Sequence, residues 1–504
     1  MELIHYHFSN FRKILLIKNR ILSGLLLVIS PWILLLIVTK LISHNCVFFS
    51  IPYWTDELSY WHEVLSFSSK GFNFGYYTIN EIVPKILSFG THGFGTISIY
   101  SLYAKIFGWN YYSIVIANNV FISLAFFFFV LIVKPTTEKT LLITSFYLTY
   151  SPIILYCSTS MSEMLNYAII IIYFTLLYTY INSGVNKKNI VFFLFFLCVF
   201  ISFIRIIYIV LFLPIILCRT KQFKLDRKTI YLLGGWILLS ISLFLINSQF
   251  VSPFPVSFLS ELFSVSNPLQ FVLSFVKHFI LNVLRFIYPF RDESIQIFQR
   301  YLILYLILWY FIKYRVRKFR YLFNDPRYLS GFIIIVLSLL ITISAYDVFN
   351  WRDFRVMAPL IFGVFLLAIL YDGLLIIKRL LLINLIGILL ICFSPKIYNS
   401  FFFDSNRYTK PLTNIAFNRI RYNKNALSKF ENTVVVDSYD ANIFLYSDAG
   451  IGITYSDTIS DKLKSKYIYT HSSQTLKTYH IIEASRGENL YQKNTNISVS
   501  TKRF

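Results

Sequence analysis

The sequence predicts an all-α polytopic membrane protein carrying a small external α/β domain at its C-terminus. Of its 504 residues, 56% are hydrophobic and only 14% charged. A soluble chain would carry about a quarter charged residues, so ordinary globular, disordered and fibrous classes are excluded. The apolar residues come in continuous runs of about 15–22, the length that crosses a hydrocarbon core as helix. They lack the apolar–polar alternation of a membrane β-barrel. The composition then changes near Ser394, and the last 110 residues are polar and Tyr-rich, with 15 basic and nine acidic side chains.

The first run, Ile21 to Val38, follows Arg12, Lys13, Lys18 and Arg20. It exceeds a signal-peptide core and shows no small-residue cleavage site, so it reads as a retained helix with a cytoplasmic N-terminus. Further spans are expected at 112–133, 140–157, 164–181, 190–203, 206–218, 230–249, 297–313, 328–345, 355–377 and 380–394, eleven in all. The transmembrane domain thus covers 1–394, with a first external loop at 43–111, and 395–504 forms the external domain.

Net charge is +23, from 47 basic and 24 acidic residues. In a soluble protein this would point to nucleic acid; in a membrane protein it reports orientation and anionic lipid. Alternate connectors hold Lys134/Lys139, Lys187/Lys188, Arg219 to Lys228, Lys313 to Arg327, and Lys378/Arg379; with the N-terminal four they account for 21 of the 47 basic residues and five acidic ones. That is a positive-inside pattern, and the connectors between are external. Parity then makes 93–108 an interfacial or re-entrant element and keeps 271–290 on the outer side. It also requires two short helices meeting near Arg205. Within the tail, 432–455 reads as two strands around a turn. The five cysteines lie in or beside apolar runs without CxxC spacing, which makes structural disulfides and zinc unexpected.

The first external loop carries the most chemistry. Thr55 is an expected N-cap, so 56–69 forms a short helix on which Asp56, Tyr60 and Glu63 share one face. Trp54, Tyr60 and Trp61 are the aromatic type that settles at a membrane interface. The bland alternative makes Asp56 and Glu57 helix-start residues favoured by the dipole. External carboxylates are otherwise scarce, and another, Glu163, stands at the outer mouth of the next helix pair. Arg205, Arg285, Arg352 and Arg355 stand at outer helix ends. Carboxylates beside guanidinium groups at the headgroup plane suit an anionic lipid phosphate and a hydroxyl that must lose its proton.

Asp56-Glu57 with Tyr60, in a long first external loop, resembles the acidic motif of the GT-C glycosyltransferases, polytopic enzymes that use polyprenyl-phosphate sugars as donors. The mannosyltransferase and aminoarabinosyltransferase branch is the nearest. His92-Gly93-Phe94-Gly95, before a helix ending Phe107-Gly108, resembles that family's His-Pro-Pro segment, with both prolines absent. Ser151-Pro152 followed by Ser162-Glu163 is similar to its second acidic region. Trp351-Arg352-Asp353-Phe354-Arg355 leading to Ala358-Pro359-Leu360 looks like its late Arg…Pro motif.

The resemblance implies a hexosyl- or pentosyltransferase of cell-envelope polysaccharide synthesis, in the inner (plasma) membrane with the C-terminus periplasmic or extracellular. It makes Asp56 the catalytic base, with Glu57 and Glu163 beside it. Arg205, Arg352, Arg355 and Arg285 would bind the substrate phosphate, and Tyr60, His62 and His92 would position substrate. The expected partners are the polyprenyl-phosphate sugar, a glycan, lipid or protein acceptor, and membrane lipid; no nucleic acid, metal or other cofactor is expected. The competing reading is a lipid-linked oligosaccharide flippase or other transporter, which would place ionisable residues at mid-membrane and break helices in paired halves. In a background without the native cysteines, Lys70→Cys and Lys221→Cys should react with an impermeant maleimide from opposite faces of the membrane. Labelling of both from one face would overturn the orientation.

Overall fold

The computed structural model describes residues 2–71, 77–79, 93–182, 187–219, 226–250, 265–287, 304, 308, 325–345, 351–371, 374–393, 429–437, 450–454, 462–470, 476–485 and 488–494. The chain forms two compact units. One comprises Met1–Val47, Val115–Leu243 and Val256–Asp404, the other Phe48–Ile114, Phe244–Pro255 and Ser405–Phe504.

The first unit is helical. Helix α1 (Glu2–Leu36) continues through a π-helical turn, Ile37–Ile42. Pro31 interrupts its ladder because proline has no N–H for the carbonyl of Leu27. The buried Ser30 hydroxyl donates to that carbonyl instead, at 2.7 Å. After α2 and α3, which belong to the other unit, α4 (Ser113–Val133) and α5 (Thr137–Thr149) follow. The expected span 140–157 breaks at Tyr150, where the short α6 (Ser151–Tyr156) begins with Pro152 in its first turn. Next come α7 (Glu163–Asn182), α8 (Lys187–Ser202), and a 3-10 helix, Ile206–Leu211, that runs into α9 (Phe212–Leu217). Helices α10 (Arg227–Phe250, to Leu243 in this unit), α11 (Pro268–Ile287), α12 (Pro326–Ala345), α13 (Trp351–Tyr371) and α14 (Leu374–Cys392) complete the unit.

Among the described residues, five helical stretches are long and apolar enough to cross a membrane: Lys18–Ile42, Ser113–Val133, Glu163–Asn182, Arg227–Gln249 and Pro268–Phe286. The last lies where the charge pattern keeps the chain outside, yet it meets both criteria of length and composition. Most of the expected span 297–313 lies outside the described residues. Within its most apolar stretch α7 is 72% buried, against 11% for α10 and α11. Helix α7 is therefore the enclosed one, while α10 and α11 present the apolar faces a lipid-facing helix would.

Helices α7 and α13 run parallel. Glu163 meets Arg355 at one end, and Asn182 Nδ2 donates to the Tyr371 hydroxyl at the other, 2.9 Å away. Between these ends, a Cβ built on Gly363 would fall 2.1 Å from Phe174 Cε2 and 2.8 Å from Ile170 Cγ2. Only a glycine lets the two helices approach this closely. Phe362 beside it sits in an aromatic nest, with ring centroids 5.2 Å from Phe146 and 5.6 Å from both Tyr150 and Tyr167.

Helix ends account for several basic side chains. The Arg20 guanidinium donates to the carbonyl of Lys134, just past the end of α4, and the Lys139 ammonium donates to the carbonyl of Leu370 near the end of α13. Both meet orphan carbonyls where the helix dipole is negative. Asp226 caps α10, its Oδ1 accepting from the Thr229 amide at 2.7 Å and the Thr229 hydroxyl at 2.6 Å. The Thr229 bonds, then Arg219, hold the Asp226 carboxyl down at about 2. None of the five cysteines, all of them described, is in a disulfide.

In the second unit, α2 (Thr55–Lys70) packs on α3 (Phe94–Phe107). Helix α3 ends at Gly108, where φ is +80°. A six-stranded sheet is built from β1 (Tyr77–Ile79), β2 (Thr433–Asp437), β3 (Gly450–Thr454), β4 (Tyr467–Thr470), β5 (Tyr479–Ser485) and β6 (Glu488–Lys493), in the order β1-β3-β2-β4-β6-β5. Val435, Ile468, Leu476, Tyr479 and Tyr491 form its core. The two strands expected in 432–455 are present as β2 and β3, but they pair in parallel. A tight hairpin turn therefore does not join them. Strand β1 comes from the first loop and pairs in parallel with β3, Tyr77 opposite Ile451 and Ile79 opposite Ile453.

Gly363→Ala should lower the thermal stability of the solubilised protein by an overpacking cost of about 1–3 kcal/mol, because the Phe174 ring must move. Gly234→Ala, whose Cβ would meet nothing within 4 Å, should leave stability unchanged or raise it.

Candidate functional site

The polar centre of the helical unit is built where α6 gives way to α7. Between them, Cys157 to Ser162 is non-helical and buried. Backbone groups in an apolar setting must find partners inside the protein. Side chains supply several of them here. Asn118 Nδ2 of α4 donates to the Met161 carbonyl at 2.9 Å, Asn166 Nδ2 to the Ser162 carbonyl at 2.7 Å, and the Thr159 hydroxyl to the Tyr156 carbonyl at 2.9 Å.

Glu163 opens α7, where the helix dipole favours an anion. Its carboxylate is 1% exposed, and Oε1 accepts from Arg205 Nη2 at 2.7 Å. Arg355 Nε lies 3.5 Å from the same oxygen. The other oxygen, Oε2, is buried and accepts no hydrogen bond among the described residues.

Arg205 stands at the break between α8 and the 3-10 helix, in extended conformation with φ −147° and ψ 123°. Its amide still closes the last turn of α8 on the Ile201 carbonyl, at 3.0 Å. One turn on, the Tyr208 hydroxyl donates to Asn166 Oδ1 at 2.8 Å. Arg205 and Tyr208 thus face Glu163 and Asn166 with a spacing of three residues on both elements. Arg355 lies one turn before Pro359, and the Tyr150 hydroxyl donates to the Ala358 carbonyl at 3.0 Å. Side chains of Arg205 and Arg355 are 14% and 24% exposed, so the pair stands at the rim of the buried carboxylate.

The second unit holds the first-loop acids. Helix α2 starts at Thr55, one residue earlier than expected, with Trp54 as the residue ahead of it. Glu57 is fully buried and reaches back over the helix start, its Oε2 accepting from the amides of Tyr53 at 2.8 Å and Trp54 at 3.0 Å. That is the N3 half of a capping box. Asp56, its neighbour, is half-buried on the face it shares with Tyr60 and Glu63. Tyr60, His62 and Glu63 are buried, and the Ser59 hydroxyl donates to Glu63 Oε1 at 3.1 Å. Trp61 fastens α2, its indole N–H donating to the Asn110 carbonyl at 2.9 Å and its ring stacking on Tyr111 with centroids 5.5 Å apart. Trp109 returns a bond to the Trp61 carbonyl at 3.1 Å.

The structure thus brings Glu163, Arg205 and Arg355 together in one unit and sets Asp56, Glu57, Tyr60 and His62 along one helix of the other. His92 and the Arg352 side chain lie outside the described residues. Arg285 is elsewhere in the helical unit, exposed in the last turn of α11, its Nη1 3.3 Å from Asn282 Oδ1. Asn282 is buried and donates to the Ile343 carbonyl of α12 at 3.0 Å. Asn118, Asn166 and Tyr208 were missed from the sequence. The first two carried a signal, since an amide side chain in an apolar run must find an internal partner. Among the described residues no group of three His, Cys, Asp or Glu side chains could hold a metal ion. No protein-family model matches the sequence, and no curated protein matches it.

Glu57→Ala should destabilise the protein by about 1–3 kcal/mol, since two amides lose a charged acceptor. Glu57→Gln keeps an acceptor and should lose less. Asp56→Asn should cost less than Glu57→Ala, because Asp56 is only half-buried whereas Glu57 is wholly buried. Thermal unfolding of the three solubilised variants separates the cap from its neighbour.

Proposed function

We propose that the chain is a membrane glycosyltransferase that moves a sugar from a polyprenyl-phosphate donor to an acceptor hydroxyl on the outer side of the membrane. The observation that carries the reading is the convergence of Arg205 and Arg355 on Glu163. Guanidinium groups at the rim of an apolar helical unit are costly, and they match an anion that is itself fixed at the headgroup plane. A phosphate on a lipid is such an anion.

In this reading Arg205 and Arg355 hold the donor phosphate and Asp56 is the base. The acceptor oxygen attacks the anomeric carbon while the bond from that carbon to the phosphate oxygen breaks. Its electron pair leaves with the polyprenyl phosphate, the hydroxyl proton passes to Asp56, and the anomeric configuration inverts. Phosphate is a good leaving group, so placement and charge stabilisation carry most of the rate. Glu57 is engaged at the helix start, and proton transfer is given to Asp56, the acid to which the family resemblance assigns it. The reading assigns no metal or other cofactor; Arg352, Arg285, Tyr60, His62 and His92 keep the substrate-binding roles the family resemblance implies.

The test reconstitutes the full-length protein in vesicles with polyprenyl-phosphate sugars and candidate glycan or lipid acceptors. Transfer should fall by about 10²–10⁴ in Asp56→Asn, the range of general-base catalysis. Arg205→Gln should lose transfer by a weaker hold on donor. Full transfer by Asp56→Asn removes Asp56 as base. Movement of the lipid across the bilayer with no transfer by the parent would make the protein a transporter.

A further inference from the structure

We infer that Glu163 is a discharge device: it weakens the hold of the arginine site on the spent carrier more than on the loaded donor. The inference rests on the arginine pair being the phosphate site of the proposed transferase.

The chemistry of the step supplies the argument. A sugar-loaded polyprenyl phosphate is a phosphodiester and carries one negative charge. When the bond to the anomeric carbon breaks, the phosphate keeps the electron pair and becomes a monoester of about −1.5 to −2 charge near neutral pH. The arginines attract the monoester more strongly than the diester, so a site of arginines alone would bind its product better than its substrate. Glu163 opposes this. Its Oε1 is 2.7 Å from Arg205 and 3.5 Å from Arg355, so any anion held by those guanidinium groups lies close to a carboxylate. Burial of Glu163 at 1% exposure keeps solvent from screening that repulsion. Repulsion scales with ligand charge and is about twice as large for the monoester. The carboxylate also has an oxygen, Oε2, with no hydrogen bond among the described residues, so its charge is not dispersed over a full set of donors. Glu163 is here a positioning residue that acts through charge on what the arginines hold.

The test measures binding of polyprenyl phosphate and of its monomethyl ester, a phosphodiester, to full-length protein in nanodiscs of uncharged lipid. At pH 8, Glu163→Gln should tighten polyprenyl phosphate about tenfold and the methyl ester about threefold, the square-root relation that a doubled charge requires. At pH 5 the phosphate monoester carries a single charge, its second pKa being about 6, and the two ligands should respond alike. Arg205 and Arg355 face Glu163, and Tyr167 interacts with it and with Tyr150, Tyr156 and Tyr208 in turn; these are groups of types that ordinarily keep their charge state over this range. Glu163→Asp keeps the charge and should keep the parent's preference. If Glu163→Gln does not fold, Glu163→Ser offers the same neutral comparison. Equal tightening of both ligands at pH 8, or weakening of both, overturns the inference while leaving the phosphate site standing. A parent that binds neither ligand overturns both.

Discussion

A charge buried among apolar helices costs several kcal/mol unless partners meet it, and the helical unit is organised around that constraint. Glu163 lies at the start of α7 and must be met from outside its own helix. Arg205 answers from the break after α8, and Arg355 from the first turns of α13. These two contacts bring three separate stretches of chain to one point. The parallel run of α7 and α13 then follows from sterics. Gly363 admits Phe174 and Ile170 at mid-helix, and Tyr371 receives Asn182 at the far end. An ion pair, a glycine and an amide hold one helix pair along its full length. Basic residues assigned to orientation are also used twice, since Arg20 and Lys139 finish the helices whose ends they meet.

The helices themselves were largely legible in the sequence. Apolar runs bounded by Lys and Arg place α4, α7, α10 and α12 within a few residues of their observed ends, because length and composition decide a helix in an apolar medium. The break near Arg205 was legible from the charge of the connectors, whose alternation requires two short helices between 190 and 218. What periodicity could not supply was pairing between distant segments. Strand β1 is three residues long and finds its place only through β3, some 370 positions later in the sequence. The parallel pairing of β2 with β3 was hidden for a related reason, since two nearby strands read alone resemble a hairpin.

The candidate site was legible by residue type and not by role. Asp56 and Glu57 are neighbours of the same charge in the same turn, and nothing in their spacing distinguishes them. Structure does, because a glutamate at the third helical position is long enough to reach back to the amides of Tyr53 and Trp54, and it is buried in doing so. Asp56, one residue earlier, stays half-exposed on the face of Tyr60 and Glu63. The acid engaged at the helix start and the acid to which the proposed reading gives the chemistry are thus separated by one methylene and one position. Glu163 is the converse case. It begins a helix as Asp56 nearly does, yet its charge is answered by arginines rather than by amides.

That difference bears on what the arginine cluster is for. As a stabilising device a buried carboxylate with two guanidinium groups is a poor choice, since well-packed apolar residues of similar volume commonly hold helices together as well or better. The surrounding nest of Phe146, Tyr150, Tyr167 and Phe362 shows that this region packs aromatics closely without charge. What leucines there could not supply is a rim of guanidinium groups 14% and 24% exposed above a carboxylate at 1%. Exposure graded in that order puts the cations toward the outside and the anion beneath them. A purely structural ion pair has no need of the gradient; the proposed phosphate site, which must take up and release an anion, does.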